Sequence, residues 1–111
     1  MLKELFYEWM NTTYADQHNI KNPRVIGNYV SRIGRIEREY KKQESSFTLE
    51  KEFQRDGLAA MRKDFSKYGR ALIAKGIDLP ANTAAIQPYS ASLKLYQAFL
   101  NEYYAGRENE Q

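Results

Sequence analysis

Five long cations recur along one stretch of this chain at a spacing that could do chemistry: Arg24, Arg32, Arg35, Arg38 and Lys42. A guanidinium is planar, keeps its charge at any ordinary pH and offers forked N–H donors matched to phosphate or carboxylate oxygens. At roughly 100° of rotation per residue, Arg24, Arg35 and Lys42 nearly eclipse one another, and Arg32 and Arg38 flank them. Asn28 and Ser31 fall beside the row and add hydrogen-bonding capacity. At 1.5 Å of rise per residue the row spans ~27 Å, the scale of a run of backbone phosphates. The chemistry such a row serves is recognition of a polyanion by charge-assisted hydrogen bonds. The same pattern also fits a solvated surface in which Arg35 and Arg38 pair with Glu37 or Glu39, or a face that docks an acidic protein partner.

Catalysis finds little to work with. Glu37 and Glu39 point to different sides of a helix that carries them, as do Glu50 and Glu52, so neither pair can share a proton. His18 has no acid and nucleophile at a recognisable spacing and reads as a loop residue. No G-x-x-x-x-G-K-[ST], G-x-G-x-x-G or H-E-x-x-H occurs. With no cysteine and one histidine, nearly every conventional zinc site is removed. No catalytic residue, metal or cofactor is expected.

The cations need an element to hold them, and Asn22 to Lys42 supplies it. Asn22-Pro23 is a start signal, with asparagine as N-cap and proline where no amide donor is required. Val25, Ile26, Tyr29, Val30, Ile33, Ile36 and Tyr40 gather opposite the cations, so one side must be buried. Gly27 and Gly34 share an edge, and close approach of the last helix through Ala91 or Ala98 is the expected reason. A first helix is read over about Leu2 to Asp16, with Leu2, Leu5, Phe6, Trp9, Met10 and Thr13 inward. Thr48 caps a short helix through Asp56, and Asp56-Gly57 breaks it and starts another with Leu58, Met61, Phe65 and Tyr68 inward. Ala71 to Lys75 adds a turn or two, Ile77 to Pro88 is a surface loop, and Gln87-Pro88 opens a last helix to about Tyr104. No period of two is sustained over a strand's length. Most of the nine tyrosines read as core residues, with Tyr7, Tyr14 and Tyr104 as the better candidates for exposure.

A chain of 111 residues suits one domain with a real core. The net charge of +3 conceals a polarity: Lys21 to Lys42 holds seven basic residues against Glu37 and Glu39, a net +5, which leaves −2 elsewhere. No run of the ~18–20 apolar residues that span a bilayer occurs, and Glu4 and Glu8 interrupt the apolar N-terminus, which does not suit a signal peptide. Absence of cysteine is compatible with a reducing cytoplasm.

Two stretches, N-P-R-V-I-G-N-Y-V-S-R-I-G-R-I-E (Asn22 to Glu37) and Y-S-A-S-L-K-L-Y-Q-A-F-L (Tyr89 to Leu100), resemble the helical N-terminal, core-binding (SAM-like) domain of phage integrases and other tyrosine recombinases. Similar helical modules precede the catalytic domains of some restriction-type nucleases. The resemblance implies four or five helices that clamp one side of a DNA duplex through its backbone, a role falling here on Arg24, Asn28, Ser31, Arg32 and Arg35. The family's catalytic arginines, histidine and tyrosine nucleophile belong to a second domain that these residues do not include. The expectation is an all-α, compact bundle of four to five helices over residues 1–104 with a disordered tail at 105–111. Its expected role is that of a non-catalytic, cytoplasmic DNA-binding module whose contacts are Arg24, Asn28, Ser31, Arg32, Arg35, Arg38 and Lys42. The alternative is a protein-interaction or assembly module, phage or mobile-element encoded.

Overall fold

The helix starts follow local chemistry in the computed structural model, which describes residues 2–14 and 22–109. Helix α1, Lys3–Trp9, widens into a π turn over Met10–Tyr14. The Asn22 side chain accepts from the Arg24 amide at 2.9 Å, and Pro23 takes the first position of α2, Pro23–Lys41. Thr48 Oγ1 accepts from the Lys51 amide at 3.1 Å to open α3, Leu49–Asp56. Gly57 ends that helix at a φ of 68°, a left-handed turn that favours glycine. Asp56 then serves the next helix, α4, Ala59–Asp64, by accepting from the Leu58 and Ala60 amides at 3.1 and 3.0 Å. A 3-10 turn, Lys67–Gly69, leads into α5, Arg70–Ala74, and another, Ala84–Ile86, leads into α6, Gln87–Asn109. No strand occurs among the described residues, and the fold is all-α.

Helix α2 lies along α6, and α1 packs against both. Phe6 from α1, Met10 from the π turn after it, Ile26, Ile33 and Ile36 from α2, and Leu93, Tyr96 and Leu100 from α6 are fully buried together. Leu49 and Leu58 close the cluster from α3 and the start of α4. Ile33, on the side of α2 expected to be buried, is central, and Tyr96 joins it there. Trp9 is half-buried at the rim, where its indole N–H donates to Glu102 at 2.7 Å, and Phe6 fills the centre instead. Among the described residues, no helix is long and apolar enough to cross a membrane.

Buried polar groups tie the helices together. Tyr96 has no exposure, and its hydroxyl donates to Glu50 at 2.5 Å while accepting from the Leu2 amide at 2.9 Å. The Glu37 carboxylate on α2 accepts from the Leu49 amide at 3.0 Å, so a buried charge caps α3. The Tyr40 hydroxyl donates to Asp64 at 3.0 Å, and Lys75 reaches the same oxygen at 2.8 Å. Every buried side-chain nitrogen or oxygen among the described residues has a partner. Such groups are costly only when left unpaired.

Several expectations need correction. Leu5 and Tyr68 face solvent, Tyr68 because its backbone takes a left-handed turn that reverses the helical register. Phe47, in the loop between α2 and α3, is nonetheless buried and stacks on Tyr40 at 5.1 Å. Ala91 and Ala98 are exposed, and a Cβ at Gly27 would meet nothing within 4 Å, so no helix approaches closely there. Helix α6 runs past Ala105-Gly106 to Asn109, since a lone glycine costs only about 1 kcal/mol inside a helix. Asp16, His18 and Lys21 lie outside the described residues, as do residues 110–111 of the expected tail.

Two outcomes follow from this packing. Gly27→Ala should raise stability by roughly 0.5–1 kcal/mol in denaturant unfolding; a loss would mean that the glycine is needed for contact. Burial first and the Asp64 carboxylate second push the Tyr40 phenol far above its usual range, as burial and then the Glu50 hydrogen bond do for Tyr96. Unfolded phenols titrate near pH ~10, so the native chain keeps protons that the unfolded chain releases. That stability is complete below about pH 10 and falls as pH rises. Phenolate absorbance should show a late step that coincides with loss of helical circular dichroism, whereas smooth ionisation of all tyrosines with helix intact would contradict it.

Candidate nucleic-acid interface

The structure keeps the predicted cations on one helix but divides their roles. Arg24, Asn28, Ser31, Arg38 and Lys42 are exposed, and Arg32 and Arg35 are half-buried. The division arises because α2 is flanked, halfway along the row, by the start of α6 and the loop before it. Arg35 Nη1 donates to the Tyr89 hydroxyl at 2.8 Å, and Nη2 donates to the Asp78 carbonyl at 3.3 Å. The guanidinium carbon also stands 5.5 Å from the Tyr89 ring centroid. Arg35 is thus a clamp that holds the 77–83 loop and the α6 N-terminus against α2. Arg32 leans on its own helix, 5.7 Å from the Tyr29 ring centroid, a contact that steadies a cation without cancelling its charge.

Neutralisation by nearby acids, the alternative reading of the row, takes a different form from the one expected. Glu39 pairs with Lys42 at 2.9 Å, and Glu37 is occupied at the α3 cap. Among the described residues no ion pair joins Arg24, Arg32, Arg35 or Arg38 to a carboxylate. Lys42 remains well exposed, and a surface pair of this kind is worth at most about 1 kcal/mol. Among the described residues Arg24 and Arg38 therefore keep both charge and exposure along α2, and the half-buried Arg32 keeps its charge, with Asn28 and Ser31 between them.

Two groupings escaped the sequence reading. The first surrounds a pocket of about 350 Å³ whose lining includes Tyr40, Glu52, Arg55, Asp64, Lys75 and Phe47. Its ionised groups are mutually engaged: Lys75 and Tyr40 on Asp64, and Arg55 on Glu52 at 2.9 Å and Asp56 at 3.4 Å. Tyr40, Asp64 and Lys75 pin α2, α4 and the end of α5 to one another. The second is a basic stretch, Arg62, Lys63, Lys67, Arg70 and Lys75 against Asp64 alone. A running charge count along the chain is the signal that reveals it. No cluster of three or more possible metal ligands occurs among the described residues.

Comparison with protein-family models, with curated proteins and with solved structures finds no match to this chain.

The clamp assigned to Arg35 predicts a split within the row. Arg35→Ala should lower unfolding free energy by about 1–2 kcal/mol, the value of two charge-assisted hydrogen bonds at a half-exposed site. Arg35→Lys should recover part of it, because the charge returns without the fork. Arg24→Ala and Arg38→Ala should stay within about 0.5 kcal/mol of the parent. Equal losses at all three positions would remove the distinction.

Proposed function

We propose that this chain is a non-catalytic DNA-binding module that grips the phosphate backbone of a duplex through the exposed cations of α2. The observation that carries this reading is the set of three guanidiniums, Arg24, Arg32 and Arg38. They hold no carboxylate partner among the described residues, and they stand along the side of α2 opposite a fully buried apolar seam. Asn28 and Ser31 are exposed between them and suit neutral hydrogen bonds to phosphate oxygens. Arg35 contributes by fixing the loop beside the contact surface. The resemblance to the helical N-terminal domain of tyrosine recombinases and of some nucleases supports the same reading, as does helical structure over both stretches that carry it. The module works in the cytoplasm, where it has access to DNA, and its gene belongs to a phage or other mobile element.

A second reading, a protein-interaction module, is favoured by a groove of about 300 Å³ between α1 and α6. Leu5, Trp9, Phe99 and Tyr103 line it, with Glu8 and Glu102 at its edge. Sedimentation that finds a stable dimer with no DNA retained at low salt would select that reading.

Duplex binding measured by fluorescence anisotropy across a salt series is the direct test. If Arg24, Arg32, Arg38 and Lys42 each displace a counterion, log affinity should fall against log salt with a slope of about −3 to −4. Replacing Arg24 and Arg38 together by alanine should make that slope shallower by about 2 and weaken all duplex sequences alike. A flat salt response, or unchanged affinity in the double variant, would reject backbone contact by α2.

A further inference from the structure

Between α4 and the first half of α6 runs an open groove of about 430 Å³, lined by Ala59, Arg62, Lys63, Ser66, Ser90 and Gln97. Among the described residues no carboxylate lines it. Arg62 is held across the groove: its Nη1 donates to the Gln97 side-chain oxygen at 2.9 Å, and the Gln97 amide nitrogen donates to the Gly57 carbonyl at 2.7 Å. The guanidinium is fixed in place by neutral partners and keeps its charge. Lys94 adds a further cation, since it is exposed and stands one turn from both Ser90 and Gln97 on the side of α6 they share.

At the Ser66 end the backbone takes an unusual course. Lys67, Tyr68 and Gly69 follow one another with φ values of 53°, 61° and 72°. Glycine enters this left-handed region freely, but a residue with a Cβ does so under strain. The turn is held from behind. The Asn82 amide donates to the Tyr68 carbonyl at 2.6 Å, and a Cβ at Gly69 would meet side-chain atoms of Ile86 and Leu72 at 3.1 Å. The turn seats Gly69 against the buried Leu72 and Ile86, and it leaves the Tyr68 residue 54% exposed. What it achieves is an aromatic ring mounted on the surface between the exposed cations Lys67 and Arg70. Ser66, two residues away, lies within about 7 Å along the chain.

Strained backbone that presents a side chain to solvent is a mark of functional sites. An exposed ring among cations is the arrangement on which an unpaired base stacks while its phosphates follow the positive charges. In a duplex those base faces are already covered by their neighbours. We propose that the groove between α4 and α6, with Tyr68 at its end, binds single-stranded nucleic acid. Tyr68 stacks on one base, and Arg62, Lys63 and Lys94 take the adjoining phosphates. This surface uses none of the α2 residues assigned to the duplex.

Anisotropy of a labelled oligothymidylate, run beside a duplex of the same length, tests the assignment on the full chain. The parent protein should bind the single strand. Tyr68→Gly, which relieves the left-handed strain, should melt no lower than the parent yet bind the single strand roughly 5- to 150-fold more weakly, the range for loss of one base–aromatic stack. Tyr68→Phe should bind as the parent does. Lys63→Ala with Lys94→Ala, both at exposed positions, should make the single-strand salt slope shallower by about 1.4, while Arg24→Ala with Arg38→Ala should leave it unchanged and weaken only the duplex. The proposal is overturned if the parent binds only the duplex, or if Tyr68→Gly binds the single strand undiminished. It is equally overturned if polyglutamate displaces the oligothymidylate at matched charge, since the groove would then fit an acidic protein segment.

Discussion

The segregation of α2 into an apolar side and a cationic side is the constraint on which the rest of the molecule depends. Ile26, Val30, Ile33 and Ile36 are all buried, and each contributes about 1.5–3 kcal/mol by leaving water. Rotating the helix by half a turn would forfeit that gain and place guanidiniums in the core, at several kcal/mol per unpaired charge. The orientation of α2 is therefore decided by large terms, and the exposure of Arg24 and Arg38 follows from it without any contribution from a ligand. Burial of one side and display of the other are one event.

Polar pins then fix how the remaining helices meet this seam. Glu37 stands on the buried side of α2, an awkward place for a carboxylate, and is reconciled by capping the first amide of α3. Tyr96 is fully enclosed and finds Glu50 of α3 and the Leu2 amide beside it. Tyr40 and Asp64 share a proton donor–acceptor contact that Lys75 completes with a positive charge. Each pin joins segments far apart in sequence, and each is satisfied, so the titratable groups that crowd the pocket near Tyr40 are accounted for by architecture. The phenol and the ammonium both rest on Asp64 Oδ2, so drawing that oxygen to another partner would break the joint.

Much of this was legible in the residues because it rests on local chemistry. Asn22-Pro23, Thr48, Asp56-Gly57 and Gln87-Pro88 marked their helix boundaries correctly, since capping and left-handed termination are decided within a few residues. The buried members of α2 were visible in their spacing. What could not be read depended on distant partners or on backbone turns. Arg35 sits at the centre of the cationic row, yet Asp78 and Tyr89, 43 and 54 residues onward, draw it into a clamp. Tyr68 continues the apolar spacing of α4, but three consecutive left-handed residues carry it to the surface. Gly27 suggested a close helix crossing by the usual cost of glycine, and the space around it is open.

Helix α6 is where the two basic surfaces become related. Tyr89, in its first turn, receives Arg35 from the α2 side, while Ser90, the next residue and about 100° further round, lines the groove that holds Arg62 and Lys63. The opposite end of α6 carries the acids: Glu102 accepts from Trp9 and borders the α1 groove together with Glu8. The cations Arg35, Arg62 and Lys63 thus gather about the first half of α6, and Glu102 lies towards its other end. Cations held in place about the start of α6 favour the approach of a polyanion. The clamp at Tyr89 matters for this reason as well as for stability, because it sets the angle at which α2 meets the start of α6. A guanidinium buried against that tyrosine is lost as a contact, but it holds the neighbouring cations in a fixed relation to one another.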